Sequence, residues 1–583
     1  MTAMRPLLPR APYHTLRETF RWDIPERLNM AEQVCDAWAA RDPDRVAIRD
    51  LSGDAPQDIT YAGLREMADA LAWGLSARGV APGDRVGVLR SQGAWCAAAH
   101  IAIWKIGAIS IPLFQLFKRD ALLSRLQDSG ARLVVTDAPC LDLLDGLRGV
   151  AALVPEQEAL PEDRFETADT GAEDPAVLIY TSGTTGSPKG ALHAHRVLTG
   201  HLPGVEMSHD FLGQPGDCLW TPADWAWIGG LFDVLMPGLA IGVPVVAARM
   251  PKFSPEACAK IVTQASVRNV FFPPTALRML KASEARIIGL RSVASGGEPL
   301  GAEMLDWGRS ALGVTINEFY GQTECNMVGS SCAALFDPVP GCLGRAVPGH
   351  DVAVIDAAGQ AADGEGDIAI RRGSASMMLG YWNRPAETAE KFRGDWMLTG
   401  DRGVIADGVL RFVGREDDVI TSAGYRIGPS EIEDCLLTHD AVATVAVVGK
   451  PDRLRTEIVK AYVVVKPGIR PSESLVRDLQ DHVKDRLASY SYPREIAFTD
   501  ALPMTVTGKV IRKDLKAHAV AAVSLHQCQP VHALCRRGHQ LHLFLRRKTR
   551  RCQCALARSG RLLGSGAACR ARLRGQRARR HAL

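Results

Sequence analysis

A loop dense in glycine and hydroxyl residues is the first segment whose residue types could perform chemistry. It reads YTSGTTGSPKG at 180–190 and directly follows the apolar run AVLIY at 176–180. Glycine lets backbone N–H groups approach an anion, hydroxyl groups donate hydrogen bonds to it, and lysine neutralises its charge. Lys189 is followed by Gly190, whereas a Walker A loop requires Ser or Thr there. The pattern predicts another kind of phosphate-binding loop, with the ligands Thr181, Ser182, Gly183, Thr184, Thr185 and Lys189.

Five further motifs follow this loop. They are SGGEP at 295–299, FYGQTE at 319–324, TGDRG at 399–403, GREDDVITSAGYRIGPSEIE at 414–433 and PMTVTGKVIRKDL at 503–515. With the loop, they make the chain resemble the adenylate-forming superfamily of acyl-CoA synthetases, aryl-CoA ligases, luciferases and peptide-synthetase adenylation domains. The resemblance covers roughly residues 30–516 and is specific, because independent motifs occur in a fixed order. Within the superfamily, the sequence is most similar to medium-chain acyl-CoA synthetases.

The resemblance implies a binding site for the adenosine part of ATP. Tyr320 would stack on one face of the adenine, since an aromatic ring suits a flat base. Asp401 would accept hydrogen bonds from both ribose hydroxyls, and Arg415 would strengthen that contact. The other face of the adenine would meet a wall of three residues, Gly297, Glu298 and Pro299.

The resemblance also implies a first half-reaction, in which a carboxylate attacks the α-phosphate of ATP and expels pyrophosphate. A carboxylate is ionised at pH 7, so the step needs no general base but needs cations that hold two anions together. Lys509 would bridge the carboxylate and the α-phosphate. Thr323 would contact the same phosphate, and Glu324 would hold Mg²⁺, which prefers carboxylate and phosphate oxygens. Thr181 would join Lys509 and Glu324 in the catalytic set.

In the second half-reaction the thiol of CoA takes the acyl group. Members of the superfamily rotate a small C-terminal domain to admit CoA, and the resemblance places the hinge at Asp417. Gly424 would let the pantetheine arm pass because it has no side chain, and Arg426 would line the entrance. The expected ligands are therefore ATP, Mg²⁺, CoA as a co-substrate and a small carboxylic acid.

Three residues are expected to shape the pocket for the acid. Trp227 would form a bulky wall, and Gly229 stands where acetate-type enzymes carry a larger residue. Gly321 stands where acetate-specific enzymes carry tryptophan. The two glycines predict a deeper pocket, which favours a medium-chain fatty acid or a compact aromatic acid.

Three alternatives remain open at this point. The first is an acetyl- or propionyl-CoA synthetase, and the second is an enzyme that loads an acyl or aminoacyl group onto a carrier protein. No carrier domain with a modifiable serine follows, which disfavours a self-contained loading module. The third is a non-catalytic nucleotide-binding relative, but such a protein would not need Lys509.

The elements that must position these residues are of the α/β class. Helical segments alternate with apolar runs from about residue 28 to residue 150, which predicts layered parallel α/β subdomains. From residue 351, frequent Gly and Asp between alternating residues predict a smaller antiparallel β unit. The expected domains are an N-terminal AMP-binding domain at 1–413, a hinge at 414–418, a small mobile α+β domain at 419–519 and a basic tail at 520–583.

Charge sets the last part of the chain apart. The formal net charge is +4, but the segment after Lys516 holds fifteen Lys or Arg and no Asp or Glu, so the preceding body is acidic. The tail could bind nucleic acid non-specifically or hold a metal, but its Cys and His residues fit no usual ligand spacing. We favour a third interpretation, a shift of the coding frame after the last motif, and expect a disordered segment without a specific nucleic-acid partner.

The sequence also indicates where the protein works. Its N-terminus has no apolar run long enough for a signal peptide, so we expect a cytoplasmic protein. The apolar stretch at 231–248 contains Asp233, Pro237 and Pro244, and it predicts a buried helix and strand rather than a membrane span. The sequence does not determine the oligomeric state.

Overall fold

We analysed the protein in a computed structural model. It describes residues 8–53, 55–181, 188–250, 252–298, 300–415, 418–422, 425–452, 455–487, 491–505 and 509–526. Residues 8–517 form one compact unit, to which the observations below refer. The architecture is mixed α/β, as the sequence predicted.

The first third of the chain alternates helices with mostly parallel strands. Its helices are α1 Tyr13–Thr19, α2 Ala37–Arg41, α3 Tyr61–Ser76, α4 Ala94–Lys105, α5 Arg119–Ser129 and α6 Leu141–Leu144. Its strands are β1 Val46–Asp50, β2 Gln57–Thr60, β3 Arg85–Leu89, β4 Ile109–Pro112, β5 Leu133–Thr136, β6 Ala151–Leu153 and β7 Pro175–Thr181. Helix α3 begins where the Thr60 side chain accepts a hydrogen bond from the Gly63 N–H, a typical N-cap.

The middle third continues this alternation. Its helices are α7 Val197–Ser208, α8 Ile228–Gly230, α9 Met236–Ile241, α10 Pro255–Gln264, α11 Pro274–Lys281 and α12 Ala302–Trp307, with a π-helical turn Leu231–Leu235 between α8 and α9. Its strands are β8 Lys189–Ala194, β9 Leu219–Trp220, β10 Val245–Ala247, β11 Asn269–Phe271, β12 Ser292–Gly296, β13 Ile316–Gln322, β14 Cys325–Ser330 and β15 Arg345–Ala346. The apolar stretch at 231–248 is thus a helix followed by a buried strand, as predicted.

The last third contains a β-rich region and then a small α+β region. The former holds β16 Val352–Ile355, β17 Gly366–Arg371, β18 Gly380–Tyr381, α13 Pro385–Glu390, β19 Phe392–Arg393, β20 Trp396–Ala406 and β21 Val409–Arg415. The latter holds β22 Ile420–Ser422, β23 Tyr425–Ile427, α14 Pro429–Leu437, β24 Val442–Asp452, β25 Thr456–Val465, α15 Glu473–Arg486, β26 Glu495–Phe498 and α16 Arg512–His526.

The described strands form three sheets. The largest has 14 strands in the order β16-β17-β20-β21-β15-β14-β13-β12-β11-β9-β10-β1-β2, with β19 beside β20. The second has the order β18-β8-β7-β4-β3-β5-β6, and the third, in the C-terminal region, has the order β23-β22-β25-β24 with β26 beside β25. The antiparallel unit predicted after residue 351 is not a separate sheet, because β21 pairs with β15 through Arg345 and Val409 and so extends the large sheet.

Apolar packing arranges the two large sheets in layers. Side chains of α3, α4, α7 and α9 pack with strands of both sheets in one core. Helices α10, α11 and α12 cover the opposite face of the large sheet, and α5 covers the outer face of the second. Helix α4 is almost entirely buried, which explains why its sequence AWCAAAHIAIWK is apolar on every side.

Candidate active site

A cleft begins where two parallel strands of the large sheet end. Strands β12 and β13 pair in parallel from Val293 and Ile316 to Gly296 and Phe319, so their carboxyl ends meet at one edge. Ligands of α/β proteins bind at such edges. The SGGEP motif follows β12, and the FYGQTE motif ends β13 and turns into β14. The fold therefore brings two of the predicted motifs together.

Asp401 and Arg415 face each other on antiparallel strands, since β20 and β21 pair these two residues. Arg415 Nη1 lies 3.5 Å from Asp401 Oδ1, and the Tyr320 hydroxyl donates to Asp401 Oδ2 at 2.6 Å. Burial raises the pKa of the Asp401 carboxyl, and the charge of Arg415 and the bond from Tyr320 oppose this rise. Two partners thus fix the orientation of the carboxyl group. The contact between Tyr320 and Asp401 was not foreseen from the sequence.

Glu324 lies in the turn between β13 and β14 and is buried. The Tyr381 hydroxyl donates to Glu324 Oε1. Tyr381 belongs to β18, which pairs with β8 in the second sheet, and the Lys189 Nζ lies 5.4 Å from its ring centre. Burial and the nearby charge of Glu324 raise the pKa of the Tyr381 hydroxyl, so it remains a donor at neutral pH. Residues of both large sheets meet here.

Lys391 is a further cation of the cleft that the sequence did not reveal. Its Nζ donates to Gln322 Oε1 at 3.3 Å and to the Leu398 carbonyl at 3.1 Å. Burial lowers the pKa of Lys391, and the negative charges of Glu324 and Asp401 counteract that decrease. A lysine that follows a short helix usually lies on the surface, so the local sequence does not predict that Lys391 is partly buried. Its position depends on the pairing of β19 with β20, which begins at the next residue.

Lys509 reaches the same cleft from the C-terminal region. The Lys509 N–H donates to Thr505 Oγ1 at 3.0 Å, and the Thr505 N–H donates to the Lys509 carbonyl at 2.7 Å, which closes a turn. Solvent still reaches the Lys509 side chain, although many protein atoms surround it. This partial desolvation lowers the pKa of Lys509. The charges of Glu298, Asp401 and Glu324 oppose the decrease, so all three carboxylates lie within electrostatic range of the ammonium group.

The chemistry of Glu324 fits a magnesium ion bound together with ATP. Its carboxylate is a hard oxygen donor, and a Mg²⁺ site of this kind needs one or two carboxylates plus substrate phosphates. One carboxylate oxygen accepts from Tyr381, which fixes the group without using its other oxygen. Among the residues that the structure describes, no three His, Cys, Asp or Glu form a metal-binding cluster, so a preformed cage is not seen there.

Only the two ends of the predicted phosphate-binding loop can be placed. Thr181 ends β7 and pairs with Lys189 at the start of β8. The Thr181 hydroxyl donates to the Lys189 carbonyl at 3.3 Å. The Lys189 end of this hairpin lies beside Tyr381, whose hydroxyl contacts Glu324. Several predicted site residues lie outside the described residues, namely Ser182, Gly183, Thr184, Thr185, Pro299, Asp417 and Gly424, as does the side chain of Arg426.

Trp227 forms an aromatic wall beside the two glycine-containing segments. A Cβ atom at Gly229 would lie 2.7 Å from the Trp227 ring, and one at Gly297 would lie 3.2 Å from it. The Trp227 ring is also 5.6 Å from that of Phe271, which is 5.1 Å from Phe319. The wall therefore combines three aromatic rings, and glycine at 229 and 297 lets the indole lie close to the backbone.

Gly321 is also tightly packed. A Cβ atom there would lie 2.3 Å from Asn326 Oδ1 and 2.6 Å from Asn326 Cα, so a larger residue would collide with Asn326. The sequence suggested that Gly229 and Gly321 leave empty depth in the pocket. In the structure the space beside Gly229 is occupied by Trp227 and the space beside Gly321 by Asn326. The depth of the acyl pocket stays a prediction.

The C-terminal region is held together by ion pairs next to the hinge. Arg512 Nη2 lies 2.6 Å from Glu433 Oε2, and Lys516 Nζ lies 3.0 Å from Asp418 Oδ1. Asp418 directly follows the predicted hinge residue. These pairs tie the start of the region and helix α14 to its last helix.

No helix among the described residues is long and apolar enough to cross a membrane. Helix α16 continues to His526, seven residues beyond the predicted end of the C-terminal domain. The rest of the basic tail lies outside the described residues.

Comparison with known proteins gives a consistent result. The family model described as AMP-binding enzyme matches residues 35–382, and that described as AMP-binding enzyme C-terminal domain matches residues 431–509. The chain is 33% identical to the mitochondrial acyl-coenzyme A synthetase ACSM2 of Rattus norvegicus, with 85% of this chain and 92% of the relative covered. It is 32% identical to the acetyl-coenzyme A synthetase of Bacillus subtilis (strain 168), with 84% and 90% covered.

A solved structure extends this likeness to three dimensions. It is the anthranilate CoA ligase AuaEII in complex with anthranoyl-AMP, which superposes with a TM-score of 0.78 at 27% sequence identity. The match covers 86% of this chain and 99% of that chain. The similarity therefore includes both the large and the small region of the fold.

Proposed function

The chain belongs to the AMP-binding enzyme family and is an AMP-forming acyl-CoA ligase, and we propose that its acid is a medium-chain fatty acid or a compact aromatic acid. Its substrates are a carboxylic acid, ATP and CoA. What supports the assignment of roles is that the Asp401 and Glu324 carboxylates lie within electrostatic range of the Lys509 ammonium group. A protein that only bound nucleotide would not need this lysine.

In the first half-reaction, one carboxylate oxygen of the acid attacks the α-phosphorus of ATP, and the bond to pyrophosphate breaks. Lys509 neutralises the carboxylate and the α-phosphate as they approach, in a partly desolvated site where attraction between opposite charges is stronger than in water. Thr323 contacts that phosphate from the turn after β13. Asp401, oriented by Tyr320 and Arg415, binds the ribose hydroxyls and so fixes the nucleotide.

Glu324 would hold Mg²⁺ together with phosphate oxygens of ATP. The ion, when bound, would neutralise charge on the leaving pyrophosphate. Tyr381 keeps the Glu324 carboxylate in place, and Lys189 adds a positive charge at the end of the phosphate-binding loop.

For the second half-reaction, the CoA thiol attacks the carbonyl carbon of the acyl adenylate, AMP leaves, and the thiol proton is lost to solvent. We propose that the C-terminal region turns about Asp417 between the two steps, with domains at 1–413 and 419–519. The ion pairs of Asp418 and Arg512 favour movement of this region as one body. Rotation would withdraw Lys509 and bring Gly424 and Arg426 to the CoA entrance.

The aromatic wall supports the proposed acid. Trp227 offers a flat apolar surface, backed by the buried rings of Phe271 and Phe319, and this suits an aliphatic chain or an aromatic ring. A side chain at position 321 would collide with Asn326. The tryptophan that acetate-specific enzymes carry at this position is therefore replaced by glycine in this chain. A cytoplasmic location and the absence of a specific nucleic-acid partner stay predictions.

Pyrophosphate release tests the proposal. Purified protein with ATP and Mg²⁺ is assayed with acetate, butyrate, hexanoate, octanoate and benzoate, each with and without CoA. We expect release that requires an acid, increases with CoA, and is fastest with hexanoate, octanoate or benzoate. A preference for acetate would reject the proposed acid and keep the ligase activity. ATP binding without pyrophosphate release for any acid would favour a non-catalytic relative.

A further inference from the structure

A carboxyl group and an amide are buried together beside the aromatic wall. Asp233 lies in the π-helical turn Leu231–Leu235, and Asn326 lies in β14. The Asn326 Nδ2 donates to both oxygens of the Asp233 carboxyl group, at 3.0 and 3.1 Å. Asp233 is 3% exposed and Asn326 is 5% exposed. Neither residue belongs to the nucleotide site described above.

Two geometric observations place the pair beside Gly229 and Gly321, the residues that the sequence predicts to shape the acyl pocket. Asp233 stands four residues after Gly229 in a continuous helical run, so the two lie about one turn apart, and Trp227 packs against Gly229. Side chains alternate along a strand, and Cys325 contacts Ser374 and Ser376 on one side of β14. Asn326 therefore points to the other side, where its Oδ1 fills the space next to Gly321.

Among the residues that the structure describes, the Asn326 amide is the only side-chain donor to Asp233. A buried carboxyl group is costly unless it has a cation or several donors, and a single amide supplies little of that compensation. Within the described part of the chain, no Lys, Arg or His forms an ion pair with Asp233. Burial raises the pKa of Asp233 well above its ordinary value, and the bond from Asn326 only partly opposes this. A ligand that donates a further hydrogen bond to the carboxyl group would therefore stabilise this pair.

The hydrogen-bonding groups that remain are mainly acceptors. The amide hydrogens of Asn326 already face Asp233, and its Oδ1 has no donor among the residues that the structure describes. The carboxyl oxygens of Asp233 keep further lone pairs. A hydroxyl or amino group of a ligand that reaches this point can donate to these oxygens, whereas an apolar methyl group forms no hydrogen bond with them.

We propose that Asp233 and Asn326 form the polar end of the acyl pocket and select a carboxylic acid whose distal end carries a hydroxyl or amino group. The inference rests on the proposed acid:CoA ligase activity and narrows its substrate class. The apolar body of the acid would lie along Trp227, and its distal donor would bind the Asp233 carboxyl group and Asn326 Oδ1. Asp233 is then a specificity residue that touches the substrate.

Matched acids test this without any variant. The kcat/KM for pyrophosphate release is measured with hexanoate, 6-hydroxyhexanoate and 6-aminohexanoate, and with benzoate, 4-hydroxybenzoate and 4-aminobenzoate. We expect a hydroxy or amino acid to exceed its plain parent by at least about 10-fold, since a buried hydrogen-bonding site rejects analogues that lack the donor. A higher value with the hydroxy acids identifies a neutral donor, and a higher value with the amino acids identifies a cation.

Variants then assign the preference to Asp233. Asp233→Val is expected to reduce the ratio of substituted to plain acid about 10-fold or more, and Asp233→Asn to remove any preference for an amino group. Asp69→Asn is the matched control, because Asp69 is also a buried carboxyl group but contacts Lys105, remote from the pocket. The control should keep the wild-type ratio, and melting temperatures should verify that each variant is folded.

The possible outcomes separate this inference from the ligase activity. If plain acids are activated and converted to CoA thioesters as fast as their substituted partners, the inference is wrong and the ligase activity stands. Loss of stability in Asp233→Val with an unchanged substrate ratio would likewise show a purely structural pair. If pyrophosphate is not released from ATP with any acid, both the proposed ligase function and this inference are wrong.

Discussion

At the scale of single residues, the cleft is defined by a few charged side chains whose neighbours determine what they can do. Lys509, Glu324 and Asp401 could be selected from the sequence, because each lies in a short motif with a chemical reason for its type. The partners that orient them could not. Tyr381 is 57 positions from Glu324 and Tyr320 is 81 positions from Asp401, so only the fold shows that they touch.

Replacement of Lys509 tests its proposed role in the first half-reaction. Lys509→Ala should reduce the kcat for pyrophosphate release by about 100- to 1,000-fold, the cost of removing one group that stabilises developing charge. Thioester formation from a supplied acyl adenylate should change little, because Lys509 has no part in that step. Lys513→Ala, an exposed neighbour, is the control. Equal loss in both half-reactions would contradict the separate role.

Removal of the Tyr381 hydroxyl tests the support of Glu324. Tyr381→Phe should raise the Mg²⁺ concentration needed for half-maximal rate by about 10-fold, because a hydrogen bond to a charged group contributes about 1.5 kcal/mol. Tyr13→Phe removes a hydroxyl that donates to the Ala346 carbonyl, outside the cleft, and should leave the Mg²⁺ dependence unchanged. Mg²⁺ titrations of both variants at saturating ATP would decide the matter.

At the scale of elements, the sequence predicts where strands lie better than it predicts which strands pair in a sheet. The runs at 85–90, 131–137, 176–180 and 267–273 are strands because they are short, apolar and bounded by polar residues. The two-residue strands β15 and β18 carry no such pattern, yet β15 joins the antiparallel strands to the large sheet and β18 carries Tyr381. The pairing of strands that are distant in the sequence depends on tertiary packing. A local pattern of apolar and polar residues does not predict it.

Strand β13 also carries a buried acid that makes stability depend on pH. Glu318 accepts from the Leu300 N–H at 3.0 Å, and burial raises its pKa from 4.5 to about 8. The folded protein therefore keeps a proton on Glu318 that the unfolded chain releases between pH 4.5 and 8. Over this range the free energy of unfolding should decrease as pH rises, by at most about 1.4 kcal/mol per pH unit.

Urea denaturation at pH 5, 6, 7 and 8 measures this effect. Glu318→Gln, which cannot ionise, should show a flatter dependence of stability on pH than the wild type. Glu390→Gln, at an exposed position, should keep the wild-type slope. Parallel curves for the wild type and Glu318→Gln would mean that Glu318 is ionised in the folded protein.

At the scale of the whole molecule, every site residue lies before Lys516, and the charged tail contributes none of them. A protein that ends at His526 should release pyrophosphate with a kcat within about twofold of the full chain, because the described site remains complete. The full chain alone should bind double-stranded DNA weakly, and this binding should disappear as salt is raised from 50 to 200 mM. Loss of activity on truncation would give the tail a functional role.

The contact between Tyr381 and Glu324 has a mechanical consequence. Tyr381 belongs to the seven-stranded sheet, and Glu324 lies in the turn between β13 and β14 of the fourteen-stranded sheet. Their hydrogen bond therefore connects the two sheets beside the proposed nucleotide site. The two sheets already share one apolar core, so this polar contact is a second and separate link between them. ATP bound by residues of both sheets would add a further link between them. It would then raise the free energy of unfolding of the large region for as long as it is bound.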